Sequence, residues 1–112
     1  MNRLEGKTIR WTFSDGPVAN ESYEHAFGAN GGLSYRKVDG DDAGGGTKVE
    51  KYESEEVGDD VVVFSYLAPD SGYTLTSVLD YGSNTVVAFA SNEKMLAVQH
   101  GTFEEVDGGR AR

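Results

Sequence analysis

The groups of this chain best suited to chemistry are its phenols and one imidazole. Tyr23 and His25 flank Glu24, and Tyr35, Tyr66 and Tyr73 recur further along at strand-like spacing. A histidine can give or take a proton near neutrality, because its ordinary pKa lies near 6.5. His25, with Tyr23 or Tyr35 beside it, is therefore the candidate acid–base group, His25 and Tyr35 foremost. Together with Trp11, Phe13, Tyr66 and Tyr73 these side chains would line an apolar pocket whose polar tips orient a ligand. The same seven side chains could equally form a filled core, since each large ring buries about 150–250 Å². Sequence alone leaves both readings open.

Other groups offer less. Lys37 falls on the expected inward face of its strand, where it would snorkel to solvent at the barrel mouth or pair with a ligand carboxylate. Glu21 and Glu24 are expected to point outward and be solvated. His100 lies in a segment with apolar residues in both phases, so alternation does not fix its side. Asp41-Asp42 and Asp59-Asp60 fall in loops without ligand-like spacing, and no metal or cofactor is expected. Gly44-Gly45-Gly46 is followed neither by the Lys-Ser/Thr pair nor by the helix of a phosphate loop. It reads as a loop that could cover a barrel mouth. No serine has the partnered histidine and strained turn that a nucleophile needs.

The elements that would hold these side chains are strands. Apolar residues alternate with polar ones over Lys7 to Ser14, Glu21 to Phe27 and Leu33 to Val38. Turn residues separate them, Asp15-Gly16-Pro17 and Asn30-Gly31-Gly32. A polar fourth strand is expected over Thr47 to Glu53. Asp60 to Leu67 is the most apolar strand, followed by Tyr73 to Leu79, Thr85 to Ser91 and Met95 to Phe103. Eight strands with short links predict an all-β fold, a small antiparallel up-and-down barrel whose last strand closes on its first. Such a barrel is either filled or holds one small ligand. Ala88, Ala90 and Ala97 would leave room if they face inward. Val61, Val63 and Phe89 would form an outward apolar patch, compatible with a homodimer.

Composition sets the outer limits. The 112 residues make one domain, taken as residues 1–106 with a frayed tail over 107–112. A formal net charge of −9 argues against binding nucleic acid and against anionic membrane surfaces. There is no cysteine, hence no disulfide framework and no thiolate chemistry. No stretch approaches the ~20 apolar residues of a membrane span, and the N-terminus lacks the apolar run of a signal peptide. A cytoplasmic location is the expectation that follows.

Several short segments carry a family resemblance. Leu4-Glu5-Gly6-Lys7 leading into Trp11-Thr12-Phe13-Ser14-Asp15-Gly16 resembles the opening strand and turn of bacterial phenolic acid decarboxylases and of MoaF-related proteins. Tyr23-Glu24, Ser34-Tyr35-Arg36, Phe64-Ser65-Tyr66-Leu67-Ala68-Pro69 with Gly72, and Gln99-His100-Gly101-Thr102-Phe103-Glu104 extend it over residues 4–105. The resemblance implies a calycin, lipocalin-like barrel. It does not carry the decarboxylase chemistry across. A tyrosine pair, an arginine and a glutamate of those enzymes align with Trp11, Phe13, Gly45 and Ala68. Of these only Trp11 offers a side-chain hydrogen bond. The Tyr35 position is kept, and the C-terminal extension of the decarboxylases has no counterpart.

Three functions follow as alternatives. The first is a barrel that binds an apolar or aromatic small molecule. The second is an enzyme using the same cavity for an isomerase- or lyase-type step. The third is a structural or interaction barrel with a solid core.

Overall fold

Ile9, Trp11 and Phe13 are buried while Thr8, Arg10 and Thr12 between them are not, so strand β1 (Thr8–Phe13) shows one apolar face. The same alternation builds the rest of the chain in the computed structural model, which describes residues 3–38, 46–69, 71–107 and 110–111. The strands that follow are β2 (Ser22–Phe27), β3 (Leu33–Lys37), β4 (Thr47–Val49), β5 (Glu53–Gly58), β6 (Val61–Leu67), β7 (Thr74–Asp80), β8 (Thr85–Ser91) and β9 (Leu96–Asp107). Arg110–Ala111, in the segment expected as a tail, form a two-residue strand, β10, paired with Val106 and Asp107. No described helix is long and apolar enough to cross a membrane.

The sheet is antiparallel throughout, in the spatial order β4-β3-β2-β1-β9-β8-β7-β6-β5. Neighbours in space are thus neighbours in sequence, except that β9 ladders onto β1 from Thr8↔Val106 to Phe13↔Gly101. This is the up-and-down order and the last-on-first pairing that the turn spacing predicts. The sheet also curls onto itself. Phe27 of β2 meets Phe64 of β6 with ring centroids 5.0 Å apart, and Tyr35 of β3 meets Tyr66 of β6 at 5.5 Å.

One expectation is corrected. Among the described residues the strand count is nine before the short β10, not eight, because Thr47 to Glu53 is not one strand. β4 ends at Val49 and pairs with β3, whereas β5 begins at Glu53 and pairs with β6. Residues 50–52 carry the chain between the two ends of the curled sheet, and the ladder leaves a seam there. Tyr52 pins the crossing, being buried, stacked edge-on to Phe27 at 5.1 Å, and donating its N–H to the Gly31 carbonyl at 3.0 Å. The barrel is therefore laddered on every side but one. Charges guard that opening, since β5 is mostly exposed and carries Glu53, Glu55 and Glu56.

The interior is filled unevenly along its axis. At one end Leu4, Ile9, Phe27, Val62, Leu79 and Val86 pack together, all at most 3% exposed. Leu4 plugs this end from the segment before β1, which is tied down by the Gly6 N–H on the Phe27 carbonyl. Toward the other end the inward positions become larger, more polar and less completely packed.

Candidate functional site

The cavity at that less packed end is about 310 Å³ in volume. Six of the seven expected side chains line it: Trp11, Phe13, Tyr23, Tyr35, Tyr66 and Tyr73. Register explains the grouping. Trp11 pairs with Tyr23 across β1 and β2, and Tyr23 lies next but one to His25, which pairs with Tyr35. Tyr66 closes the far wall from β6, opposite Leu75 of β7, which in turn pairs with Ala90 of β8. Ala90 lines the cavity with nothing beyond its Cβ, so part of the space exists because that residue is small. Tyr73 stands just before β7, half-exposed at the rim, with its hydroxyl 3.3 Å from the Met95 sulfur.

His25 takes a different place from its six companions. It is 2% exposed and lies behind the cavity wall, with its ring 4.2 Å from the Trp11 ring and 5.4 Å from that of Tyr35. Its Nε2 shares a 2.7 Å hydrogen bond with the Tyr66 hydroxyl, and its Nδ1 has no partner. Burial alone pushes its pKa down to about 3, so the imidazole is neutral at pH 7. Its route to the cavity is through Tyr66.

Polar groups ring the mouth. The Tyr23 hydroxyl donates to Glu21 at 2.7 Å, and Lys37 pairs with the same carboxylate at 3.7 Å. Lys37 is thus inward at the rim, as its position in the alternation predicts, with its charge neutralised by Glu21. The connection from β1 to β2 lies across the mouth, where Val18 lines the cavity. Its backbone N–H donates to Gln99 Oε1 at 3.3 Å. Gly16 makes this approach possible. Its φ is +86°, and a Cβ there would come within 2.6 Å of Gln99 Cγ. The neighbouring Asp15 accepts the His100 backbone N–H at 2.7 Å and the ring Nδ1 at 3.0 Å. These contacts, the backbone bond first, hold the Asp15 carboxyl below its ordinary range. His100 is accordingly outward, exposed, and remote from the aromatic cavity.

Glu24 corrects a second expectation. It points outward, yet it is only 5% exposed rather than solvated. Arg10 and Arg36, from the strands on either side, cover it with hydrogen bonds of 2.9 and 3.0 Å. Cross-strand pairing of Glu24 with both arginines produces this arrangement. Asp59 and Asp60 form the tight turn between β5 and β6, and among the described residues no group of three metal-ligating side chains comes together. Asp41-Asp42 and Gly44-Gly45 lie outside the described residues.

Gln99 is, with Val18, among the cavity residues that sequence reasoning missed. It pairs with Ala88 on an inward register and is 4% exposed. The signal was present in the alternation Ala97, Gln99, Gly101, Phe103. It was masked by Leu96, Val98 and the other apolar residues of the opposite phase.

No protein-family model matches the chain, and no curated protein matches it. Among solved structures it is similar to a protein from Burkholderia vietnamiensis, provisionally called a beta-lactamase. The TM-score is 0.77 at 19% identity, over 94% of this chain and 97% of the other. A likeness at that identity establishes a shared fold, and it carries no activity across.

Proposed function

We propose that this chain is a binding barrel that takes one apolar or aromatic small molecule into the aromatic end of its interior. The observation that carries the reading is the uneven filling. One end is packed shut while the other keeps about 310 Å³ of space walled by six aromatic side chains and small residues. That is about twice the ~150 Å³ that admits a benzene-sized molecule, and it falls at the lower end of the range for ligand sites. The proposed family is the MoaF-related branch of the calycin barrels, with Trp11, Phe13, Gly45 and Ala68 in place of decarboxylase groups. The proposed setting is the cytoplasm, where a domain without disulfides is at no disadvantage.

The test is to fill the space. Aromatic probes such as indole and 2-naphthol are expected to raise the melting temperature of the native chain. In Ala90→Phe the cavity is occupied, and the shift should vanish while the variant itself melts close to the native value. If neither probe binds the native chain in millimolar solution, the binding reading is wrong.

One contact favours an enzymatic reading beside it, the hydrogen bond of 2.7 Å between His25 Nε2 and the cavity-lining Tyr66 hydroxyl. In an isomerase- or lyase-type step the phenol would exchange a proton with the ligand and His25 would orient it, while Tyr35 stacks on the imidazole. The partner proposed for the exterior is a second copy of the chain, since the outward face of β6 to β9 is apolar and nearly free of charge.

A further inference from the structure

Residues 14–21, between β1 and β2, cross the cavity mouth as a strap, and β9 grips them from both of its faces. On the inner face Gln99 Oε1 accepts the Val18 N–H at 3.3 Å. On the outer face the next residue, His100, accepts the Ser14 N–H through its carbonyl at 2.8 Å and donates its own N–H to Asp15 at 2.7 Å. Its ring completes the clasp, with Nδ1 3.0 Å from Asp15 Oδ2. An ionised carboxylate only accepts, so Nδ1 carries the ring proton and donates it to this bond.

Strap and strands are held differently. β1 is laddered to both β2 and β9 and buries Ile9, Trp11 and Phe13. In the strap Asp15, Gly16 and Pro17 are exposed, and Val18 and Ala19 are only half-buried. The clasp lies at the surface, with the Asp15 and His100 side chains 54% and 55% exposed. Segments with few buried apolar contacts and exposed hydrogen bonds open at the lowest cost. At its base the strap closes on itself, because the Asn20 N–H donates to the Phe13 carbonyl at 2.8 Å and the Phe13 N–H to the Glu21 carbonyl at 3.2 Å. Its tip can therefore swing off the mouth without unzipping β1 from β2. Gly16 and Asn20, with φ of +86° and +68°, supply the bends. The facing lip at Tyr73 is tied by main-chain bonds instead, its carbonyl accepting the Ala68 N–H at 2.7 Å.

We propose that residues 14–21 are a gate on the aromatic cavity, latched shut by the Asp15–His100 clasp, whose opening sets how fast a ligand enters and leaves. The inference rests on the binding reading of this same cavity and adds how access to it is controlled. Val18 is the part of the gate that faces the ligand space. Asp15 is a positioning residue that acts through it.

The probe is 2-naphthol, with its affinity measured by titration and its bound lifetime by NMR line shapes. A gate changes both rates together, whereas a lost contact changes dissociation alone. In Asp15→Ala association and dissociation should each rise about tenfold, with affinity held within about threefold. Asp15→Asn keeps an acceptor for the His100 N–H without the charge, and its rates should stay within about threefold of native. Unchanged rates in Asp15→Ala would overturn the gate and leave the cavity a binding site. Faster dissociation with unchanged association would overturn it too, making the strap an ordinary wall. If that variant does not fold, amide hydrogen exchange in the native chain decides. The Val18 and His100 amides should then exchange together, about a hundredfold faster than the amides of the β1 ladder. Exchange as slow as that ladder would mean the strap opens only with the whole fold, and the gate would be wrong. Failure of 2-naphthol to bind the native chain would instead remove the binding reading beneath it.

Discussion

His25 shows how burial alone can make one residue set the acid stability of a small domain. Its pKa is lowered from 6.5 to about 3 in the fold, so the unfolded chain binds the extra proton first as pH falls. Stability contributed by keeping it neutral is complete above pH 6.5 and is lost as the solution is acidified toward pH 3. The loss approaches about 1.4 kcal/mol per pH unit within that window. His25→Gln keeps a partner for the Tyr66 hydroxyl but does not titrate. We expect it to be less stable than the native chain at pH 7 and to lose less between pH 6.5 and 4. Melting curves across that range check this, and parallel pH profiles for the two proteins would refute it. Tyr81 illustrates the opposite sign at the packed end. Burial, reinforced by a 3.0 Å hydrogen bond to Glu105, raises its pKa, so it remains protonated under the same conditions.

At the scale of elements, β1 and β9 form the ladder that joins the two halves of the meander into a barrel, and Gly101 sets how closely they meet. It pairs with Phe13 on one side and Val86 on the other. A Cβ there would lie 2.1 Å from the Thr12 carbonyl oxygen and 2.9 Å from Phe13 Cα, both backbone atoms that cannot swing aside. Gly101→Ala must push β1 from β9, at a cost of about 1–3 kcal/mol typical of overpacking. Chemical denaturation should reveal it as a lower midpoint, and because Phe13 lines the cavity, probe binding should weaken as well. The strands were legible to different degrees. β1 announces itself by clean alternation, and β6 and β8 by apolar runs rich in valine. β5 does not, because Glu53 to Gly58 buries almost nothing and pairs with β6 through a bulge near Glu56. An edge strand held by backbone hydrogen bonds along one side leaves no hydrophobic period to read.

For the whole molecule the issue is where a chain of charge −9 can make contact with another copy. The outward face of β6 to β9 carries exposed Leu67, Phe89, Leu96 and Val98. Phe89 pairs directly with Val98, and the Val63, Val78 and Val87 positions continue the apolar surface beside them. Charged residues stand only at its margin, so two copies can meet there without setting carboxylate against carboxylate. Patches of this kind mark association sites. The expected outcome is a concentration-dependent dimer by light scattering, converted to monomer by Phe89→Glu without loss of the fold. A native chain that stays monomeric up to millimolar concentration would rule the interface out.

The sequence by itself determined the all-β class, the up-and-down order and the inward phase of Trp11, Phe13, Tyr23, His25, Tyr35 and Tyr66. Alternation is local and survives without knowledge of partners. Tertiary structure alone decided the rest: that β4 and β5 are separate strands at a seam, that Glu24 is enclosed by arginines from two neighbouring strands, and that His25 stands behind the cavity rather than in it. It also decided that Gln99 belongs to the site. Each of these depends on which residues meet across the sheet or across the barrel, and such long-range pairing leaves no mark in the spacing along a single strand.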